Sequence, residues 1–164
     1  MLLTGEHSVS LDEKGRLLIP SRLKSQFDTT TLVVTKSSDS RRCLQVLKPE
    51  NFEKLANTLL DDGEKSFDPA WQLLQMHVVA PATEVQFDKA GRIMISANLR
   101  AFASLELKSE IMVVGMMNRI EIWNKALYES YIAKADDPAE IENAVKQAMP
   151  GAVKKCRQFI NRYC

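Results

Sequence analysis

Cysteine, histidine and long hydrophobic runs are scarce in this sequence. The three cysteines are odd in number and form no Cys-x-x-Cys pair, and the two histidines have no second ligand at metal-binding spacing. We therefore expect reduced thiols and no bound metal. The longest apolar run, at 111–117, is too short to cross a bilayer, and residues 1–16 show no signal-peptide pattern. These absences predict a cytoplasmic protein with no membrane partner.

The sequence also lacks an excess of charge of either sign. It has 22 Lys and Arg residues against 21 Asp and Glu residues, a formal net charge of +1. This balance excludes an acidic disordered chain and a strongly basic protein that wraps nucleic acid. Any contact with nucleic acid must therefore come from a local patch or from many copies acting together. With 164 residues, 45% of them hydrophobic, the chain can form one domain or two small ones around a true core.

The motifs of the common enzyme classes are absent. The sequence has no G-x-G-x-x-G, no G-x-x-x-x-G-K-[ST], no H-E-x-x-H and no G-x-S-x-G. His7 and His77 are lone histidines, and Cys43 lies in a predicted strand, which favours a place in the core. Nothing in the spacing supports a catalytic pair of Cys43 with His77. We predict that the protein is not an enzyme and takes no cofactor and no small-molecule substrate.

The most informative feature is an internal duplication. LDEKGRLLIPSRL at 11–23 and FDKAGRIMISANL at 87–99 share Asp, Gly and Arg at an offset of 76 positions. The blocks at 43–55 and 119–131 match at the same offset. Two matching blocks at one offset indicate two repeats, which can form a pseudo-two-fold domain in which each half covers the apolar face of the other. The predicted regions are a first repeat at 1–76, a second repeat at 77–135 and a C-terminal helical extension at 136–164.

Each repeat begins with an Asp-x-x-Gly turn, an Arg and a short apolar strand. The Asp side chain can bond the backbone two residues further on, and Gly permits a positive φ, so the pattern closes a tight reversal between strands. Pro20 and Ser96 then favour helix starts, and two strands and a helix follow. The turn positions are Asp12, Gly15, Asp88 and Gly91. The order predicts an α+β, β-rich fold built from two hairpin-and-helix repeats, with C-terminal helices.

Basic residues cluster around the first turn. A hairpin can present Lys14 and Arg16 at its tip, where a guanidinium can bond phosphate oxygens or the O6 and N7 edge of guanine. In the alternative interpretation, Asp12 and Arg16 bond across the turn and only stabilise the fold. Both interpretations hold if Asp12 positions Arg16 rather than neutralising it. The residues predicted to contact nucleic acid are Lys14, Arg16, Arg22, Lys24 and Arg92.

These motifs resemble the MraZ family of bacterial transcriptional regulators, in the wider SpoVT/AbrB-like group of swapped-hairpin DNA-binding proteins. The resemblance rests on DEKGRLLIP, DKAGRIMIS and VVGMMNRIEIW in that order, and it spans about residues 1–135. It implies two AbrB-like halves that form a swapped-hairpin barrel. It also implies a ring-shaped homo-oligomer, associated with the nucleoid, that binds short direct repeats in double-stranded promoter DNA. In the family this promoter lies ahead of the regulator's own gene in the division and cell-wall cluster.

The resemblance assigns roles to particular positions. Lys14 and Arg16 match the family's DNA-contacting pair. The turn positions and Arg92 match the two family motifs. Three positions depart from or vary the pattern: Ser96 stands where Pro is common, Lys24 stands where Arg is frequent, and Arg100 holds the equivalent position in the second repeat.

The C-terminal extension supports a different function. Asp137-Pro138 marks a helix start, and two apolar stripes follow. The stripes are Ile141, Ala144, Val145 and Ala148, then Val153, Cys156, Ile160 and Tyr163. An AbrB-like protein-interaction module of the antitoxin type would use such helices to bind a partner. They could equally pack on the chain's own barrel.

Overall fold

A computed structural model describes residues 2–60 and 68–149 of the chain. Its strands are β1 (Leu3–Ser10), β2 (Arg16–Leu18), β3 (Thr31–Lys36), β4 (Leu44–Leu47), β5 (Thr83–Gln86), β6 (Arg92–Met94), β7 (Glu110–Met117) and β8 (Ile120–Asn124). Its helices are α1 (Ser21–Lys24), α2 (Pro49–Leu60), α3 (Pro69–Val78), α4 (Ala97–Phe102), α5 (Lys125–Ala135) and α6 (Pro138–Ala148). In these two ranges no helix combines the length and apolarity needed to span a membrane.

The chain divides into two compact units. Met1–Lys125 forms the first, which contains every strand of the described ranges and helices α1 to α4. The second begins at Ala126, and its described part holds most of α5 and all of α6. The second apolar stripe predicted for the C-terminal extension, at 153–163, lies outside the described residues.

Six strands form an antiparallel sheet in the order β1-β7-β8-β4-β3-β5, and β2 pairs with β6 in a separate two-stranded ribbon. The predicted α+β class, rich in strands, is therefore confirmed. The predicted barrel is not closed in the described residues, because β1 and β5 are the two ends of the sheet order. The strands β2 and β6, three residues each, pair with each other instead of joining those ends.

Strands of the two predicted repeats pair with one another. The pairs β1–β7, β3–β5, β4–β8 and β2–β6 each join one strand from 1–76 to one from 77–135. In the β4–β8 pair Leu44 faces Ile122 and Val46 faces Ile120, so the register is symmetric under the offset of 76 positions. Because most pairing crosses between the repeats, each one supplies hydrogen-bond partners that the other needs.

The core repeats with the same offset. Its fully buried members include Leu17, Ile19 and Leu23 from the first repeat and Ile93, Ile95 and Leu99 from the second. Each set comes from a short strand, its continuation and the following helix. Burial of these two equivalent sets holds the ribbon and helices α1 and α4 against the large sheet's apolar side chains. Cys43 is buried as predicted, and burial raises the pKa of its thiol to about 12.

Candidate nucleic-acid interface

The first turn is organised by one carboxylate. Asp12 Oδ1 accepts hydrogen bonds from the backbone N–H groups of Lys14 (2.9 Å) and Arg16 (2.8 Å), and Oδ2 accepts one from Arg16 Nε (2.7 Å). These bonds lower the pKa of Asp12, and the backbone N–H of Arg16 contributes most. The backbone of Gly15 closes the turn by donating to the Asp12 carbonyl at 3.1 Å, with φ at +80°. The turn therefore holds the arginine in one place.

The second turn has the same geometry. Asp88 accepts from the backbone N–H groups of Ala90 (2.9 Å) and Arg92 (2.9 Å) and from Arg92 Nε (2.7 Å). Its pKa is lowered, again mainly by the backbone N–H of the arginine. The bond across the turn that the alternative interpretation expected is thus present in both repeats. It uses Nε, and in the described part of the chain Arg16 donates no hydrogen bond from Nη1 or Nη2.

The β2–β6 ribbon brings the two turns together. Its register pairs Arg16 with Met94 and Leu18 with Arg92. The central pair of the register, Leu17 and Ile93, points into the core. Side chains alternate across a strand, so the other four residues share the opposite face. We call Arg16, Leu18, Arg92 and Met94 the ribbon face. Arg92 Nη1 lies 3.8 Å from Asp12 Oδ2, which places the two motifs side by side.

Backbone bonds exchanged between the repeats fix this arrangement. Ile95 N–H donates to the Gly15 carbonyl at 2.9 Å, and Ile19 N–H donates to the Gly91 carbonyl at 3.2 Å. Each turn is therefore anchored by the strand that follows the other turn. The two bonds are equivalent under the offset of 76 positions, like the ribbon register.

Helices α1 and α4 each place a cation over the turn of the other repeat. A Cβ added at Gly15 would lie 2.9 Å from Arg100 Nη1, and one added at Gly91 would lie 3.3 Å from Lys24 Nζ. Lys24 Nζ also lies 5.3 Å from the centroid of the Phe87 ring, a cation–π distance. Arg100 was not among the residues predicted to contact nucleic acid. The signal that could have added it is its equivalence to Lys24.

The predicted contact residues do not all converge. Lys14 is exposed at the tip of the first turn, and Arg16 and Arg92 are half-buried at the ribbon. Arg22 is exposed on α1, and in the described ranges its side chain makes no hydrogen bond or ion pair with either turn. The residues brought together, here called the cationic cluster, are Lys14, Arg16, Lys24, Arg92 and Arg100. In the same ranges no group of three or more His, Cys, Asp or Glu side chains is placed to hold a metal.

The family to which the chain belongs follows from its similarity to known proteins. The model of one family, described as "MraZ protein, putative antitoxin-like", matches residues 2–73 and again residues 78–148. The chain belongs to the MraZ family. A "Transcriptional regulator MraZ" from Treponema pallidum (strain Nichols) is 34% identical over 133 residues, covering 81% of this chain and 86% of the relative.

Other MraZ relatives match a larger share of the chain or have a higher sequence identity to it. One from Salinispora arenicola is 32% identical over 151 residues, covering 92% of this chain and 99% of the relative. One from Marinomonas sp. (strain MWYL1) is 36% identical over 132 residues, covering 79% and 84%. Both carry the name "Transcriptional regulator MraZ". Each Asp-x-x-Gly-Arg turn falls inside one of the two MraZ matches.

Proposed function

We propose that the chain is a DNA-binding transcriptional regulator that contacts double-stranded promoter DNA through the cationic cluster. The observation that carries the proposal is that five cations lie on or beside one ribbon, where each turn's aspartate is already bonded to three donors. The name "transcriptional regulator", borne by its relatives, supports the same function. We assign it no catalytic activity.

A two-stranded ribbon such as β2–β6 suits duplex DNA. The major groove of B-DNA is about 12 Å wide and admits a two-stranded β-ribbon. Arginines held by their Nε atoms can direct Nη1 and Nη2 outward, in the fork geometry that matches a phosphate or the O6 and N7 edge of guanine. Lys14, Lys24 and Arg100 flank the ribbon at positions suited to phosphates.

A ring-shaped homo-oligomer answers the difficulty of the low net charge. One chain with a formal charge of +1 and a single cluster neutralises few phosphates and binds DNA weakly. Several copies in a ring engage successive direct repeats at high effective concentration. We propose that these repeats lie in the promoter ahead of the protein's own gene in the division and cell-wall cluster. The regulator then works in the cytoplasm, in association with the nucleoid. We propose that its fold is of the swapped-hairpin type, in which the two halves exchange strands.

The deciding experiment compares Arg16→Ala with the natural protein in gel shifts on the DNA upstream of its own gene. We expect roughly a fivefold to 150-fold loss of affinity, because an arginine contact to a base edge contributes roughly 1–3 kcal/mol. Asp12 keeps its two backbone donors, and the lost bond is partly exposed, so the loss of stability should stay below about 1 kcal/mol.

Lys54→Ala removes one positive charge from the exposed face of α2 and is the matched control. It should bind as the natural protein does. Unchanged binding by a folded Arg16→Ala variant would refute the proposed contact. If the Arg16→Ala variant unfolds instead, the result assigns Arg16 a purely structural role. In that case Arg16→Lys, which keeps the charge, should also fail to fold.

A second candidate function is an antitoxin-type interaction module. Helix α6 has no buried side chain, and Ile141 on its apolar stripe is 44% exposed. An amphipathic helix of this kind can insert its apolar face into the groove of a partner protein. Both functions can belong to one chain, since α6 lies in the second compact unit and the cationic cluster in the first.

A further inference from the structure

The ribbon face carries two large apolar side chains that the core does not use. Leu18 and Met94 are each 47% exposed, whereas their neighbours Leu17 and Ile93, on the opposite face, are at most 1% exposed. Leu18 and Met94 are equivalent under the offset of 76 positions, so the feature occurs once in each repeat. Because both side chains are exposed, packing within the described chain does not explain why large apolar residues stand at these two positions.

Both side chains stand directly across from an arginine. Arg16 faces Met94 and Arg92 faces Leu18 in the ribbon register. The ribbon face is therefore an alternating set of two guanidinium groups and two apolar groups. A single exposed apolar residue is ordinary. Two of them interleaved with fixed arginines form a surface that offers both charge and apolar contact.

The charge around the ribbon face indicates the kind of ligand that it binds. The five cations of the cationic cluster outnumber the turn carboxylates Asp12 and Asp88, each of which accepts three hydrogen bonds within its own turn. A polyanion that presents apolar groups on the edge contacted by the protein fits such a surface. In the major groove of DNA the apolar group that a base pair presents is the C5-methyl of thymine.

We propose that Leu18 and Met94 contact thymine methyl groups in the major groove, so that the ribbon distinguishes thymine from the other bases. Arg16 and Arg92 contact phosphate or guanine beside them. This inference rests on the proposed function and adds to it a division of labour between the two apolar and the two cationic side chains. It makes the two repeats equivalent readers, one thymine contact from each.

The test replaces every thymine of the upstream duplex by deoxyuridine, which removes only the C5-methyl and preserves pairing with adenine. The natural protein should bind the deoxyuridine duplex roughly fourfold more weakly for each contacted methyl, as expected for about one buried carbon. The double variant Leu18→Ala with Met94→Ala should bind the thymine duplex more weakly than the natural protein and should not distinguish the two duplexes.

The control is Leu73→Ala with Met76→Ala, which truncates a leucine and a methionine exposed on α3. It should retain the full difference between the duplexes. Circular dichroism establishes that each variant is folded. If Leu18→Ala with Met94→Ala does not fold, Leu18→Thr, which suits a strand, replaces it in the same comparison.

Two results would overturn the inference while leaving the proposed function intact. One is equal affinity of the natural protein for both duplexes together with loss of binding by Arg16→Ala. The other is an equal thymine preference in the natural protein and in the double variant, which would place the methyl contact elsewhere. Absence of binding to either duplex by the natural protein would refute the proposed function itself, and the exposed apolar pair would then be a surface for a protein partner.

Discussion

In each turn the arginine side chain uses one hydrogen-bonding group, Nε, to stabilise the fold and leaves its other groups at the surface. Arg16 and Arg92 give Nε to the aspartate of their own turn at 2.7 Å, which fixes the direction of each guanidinium. The structural and functional interpretations of the motif are therefore compatible. An arginine that is already ordered loses less conformational entropy when it meets a ligand than a mobile one does.

Gly15→Val should destabilise the protein. Gly15 has a φ of +80°, a region that β-branched residues avoid, and any Cβ there meets Arg100 Nη1 at 2.9 Å. We expect a loss of about 1–3 kcal/mol in the free energy of unfolding, measured by urea denaturation. Gly5→Val is not a suitable control because Gly5 also has a positive φ, of +109°.

The matched comparison is Ala90→Val, one residue before the equivalent glycine of the second turn and exposed. It adds the same β-branched side chain without a positive φ, and its unfolding midpoint should stay close to that of the natural protein. If Gly15→Val unfolds at the same urea concentration as Ala90→Val, the turn does not require glycine.

Secondary-structure elements were more predictable than the way in which they pair. Turn chemistry and the repeat offset predicted the positions of the strands that flank each turn and the helix N-cap at Ser96, whose Oγ accepts from the Leu99 N–H. The predicted hairpin pairing across the first turn is reduced, in the described residues, to the single bridge Leu11–Leu17, because β1 pairs with β7 and β2 with β6. The helix that begins after Pro20 is short and spans only Ser21–Lys24. Nothing local specifies that β2 pairs with β6, because a three-residue strand carries too little pattern to choose a partner.

The same limit applies to the candidate site. The cations at the turns were visible as a motif, and the structure places four of the five predicted contact residues in one cluster. Arg100 belongs to that cluster only because α4 crosses over the turn of the other repeat. Such a contact depends on tertiary packing between residues 85 positions apart, Gly15 and Arg100, which propensity and periodicity do not encode.

Strand β8 is tied to the loop before β4 by one buried carboxylate. Glu121 is 2% exposed and accepts bonds from Arg41, from Arg119 and from Trp123 Nε1. Glu121→Ala should cost about 3–5 kcal/mol, since it removes the buried carboxylate that Arg41 and Arg119 share, although Arg41 keeps its bond to Asp39. The exposed Glu84→Ala in β5 is the control. Similar unfolding midpoints for the two variants would mean that the ion pairs are dispensable.

Helix α6 offers a direct separation of the two candidate functions. Its side chains are not buried, so removing residues 136–164 should leave the first compact unit intact. We expect the truncated chain to keep its affinity for upstream DNA within about twofold and its far-ultraviolet circular dichroism apart from the lost helix. Loss of a protein partner with retained DNA binding would assign the extension to interaction. Loss of DNA binding by a folded truncated chain would contradict the independence of the two units' functions.

For the chain as a whole, the proposed ring and the formal net charge of only +1 together predict that affinity for DNA depends on how many copies bind at once. A single ribbon should bind one repeat weakly, whereas linked ribbons should gain avidity on the order of 10²–10⁴. We therefore expect affinity to rise steeply as a duplex carries one, two and three direct repeats. Affinity should also fall with salt at a slope of about −0.9 per phosphate contacted. Gel shifts at several salt concentrations, alongside analytical ultracentrifugation of the free protein, measure both quantities.

The geometric control inserts about five base pairs between two repeats, which turns the second repeat to the opposite side of the duplex because one helical turn spans about 10–10.5 base pairs. A ring that presents its ribbons in fixed directions should then bind this duplex about as weakly as a single repeat, and a further five base pairs should restore part of the affinity. Equal binding to one and three repeats would remove the need for assembly. The five cations of one cluster would then have to supply the full affinity, and Arg16→Ala would have to reduce binding to a single repeat as strongly as binding to several.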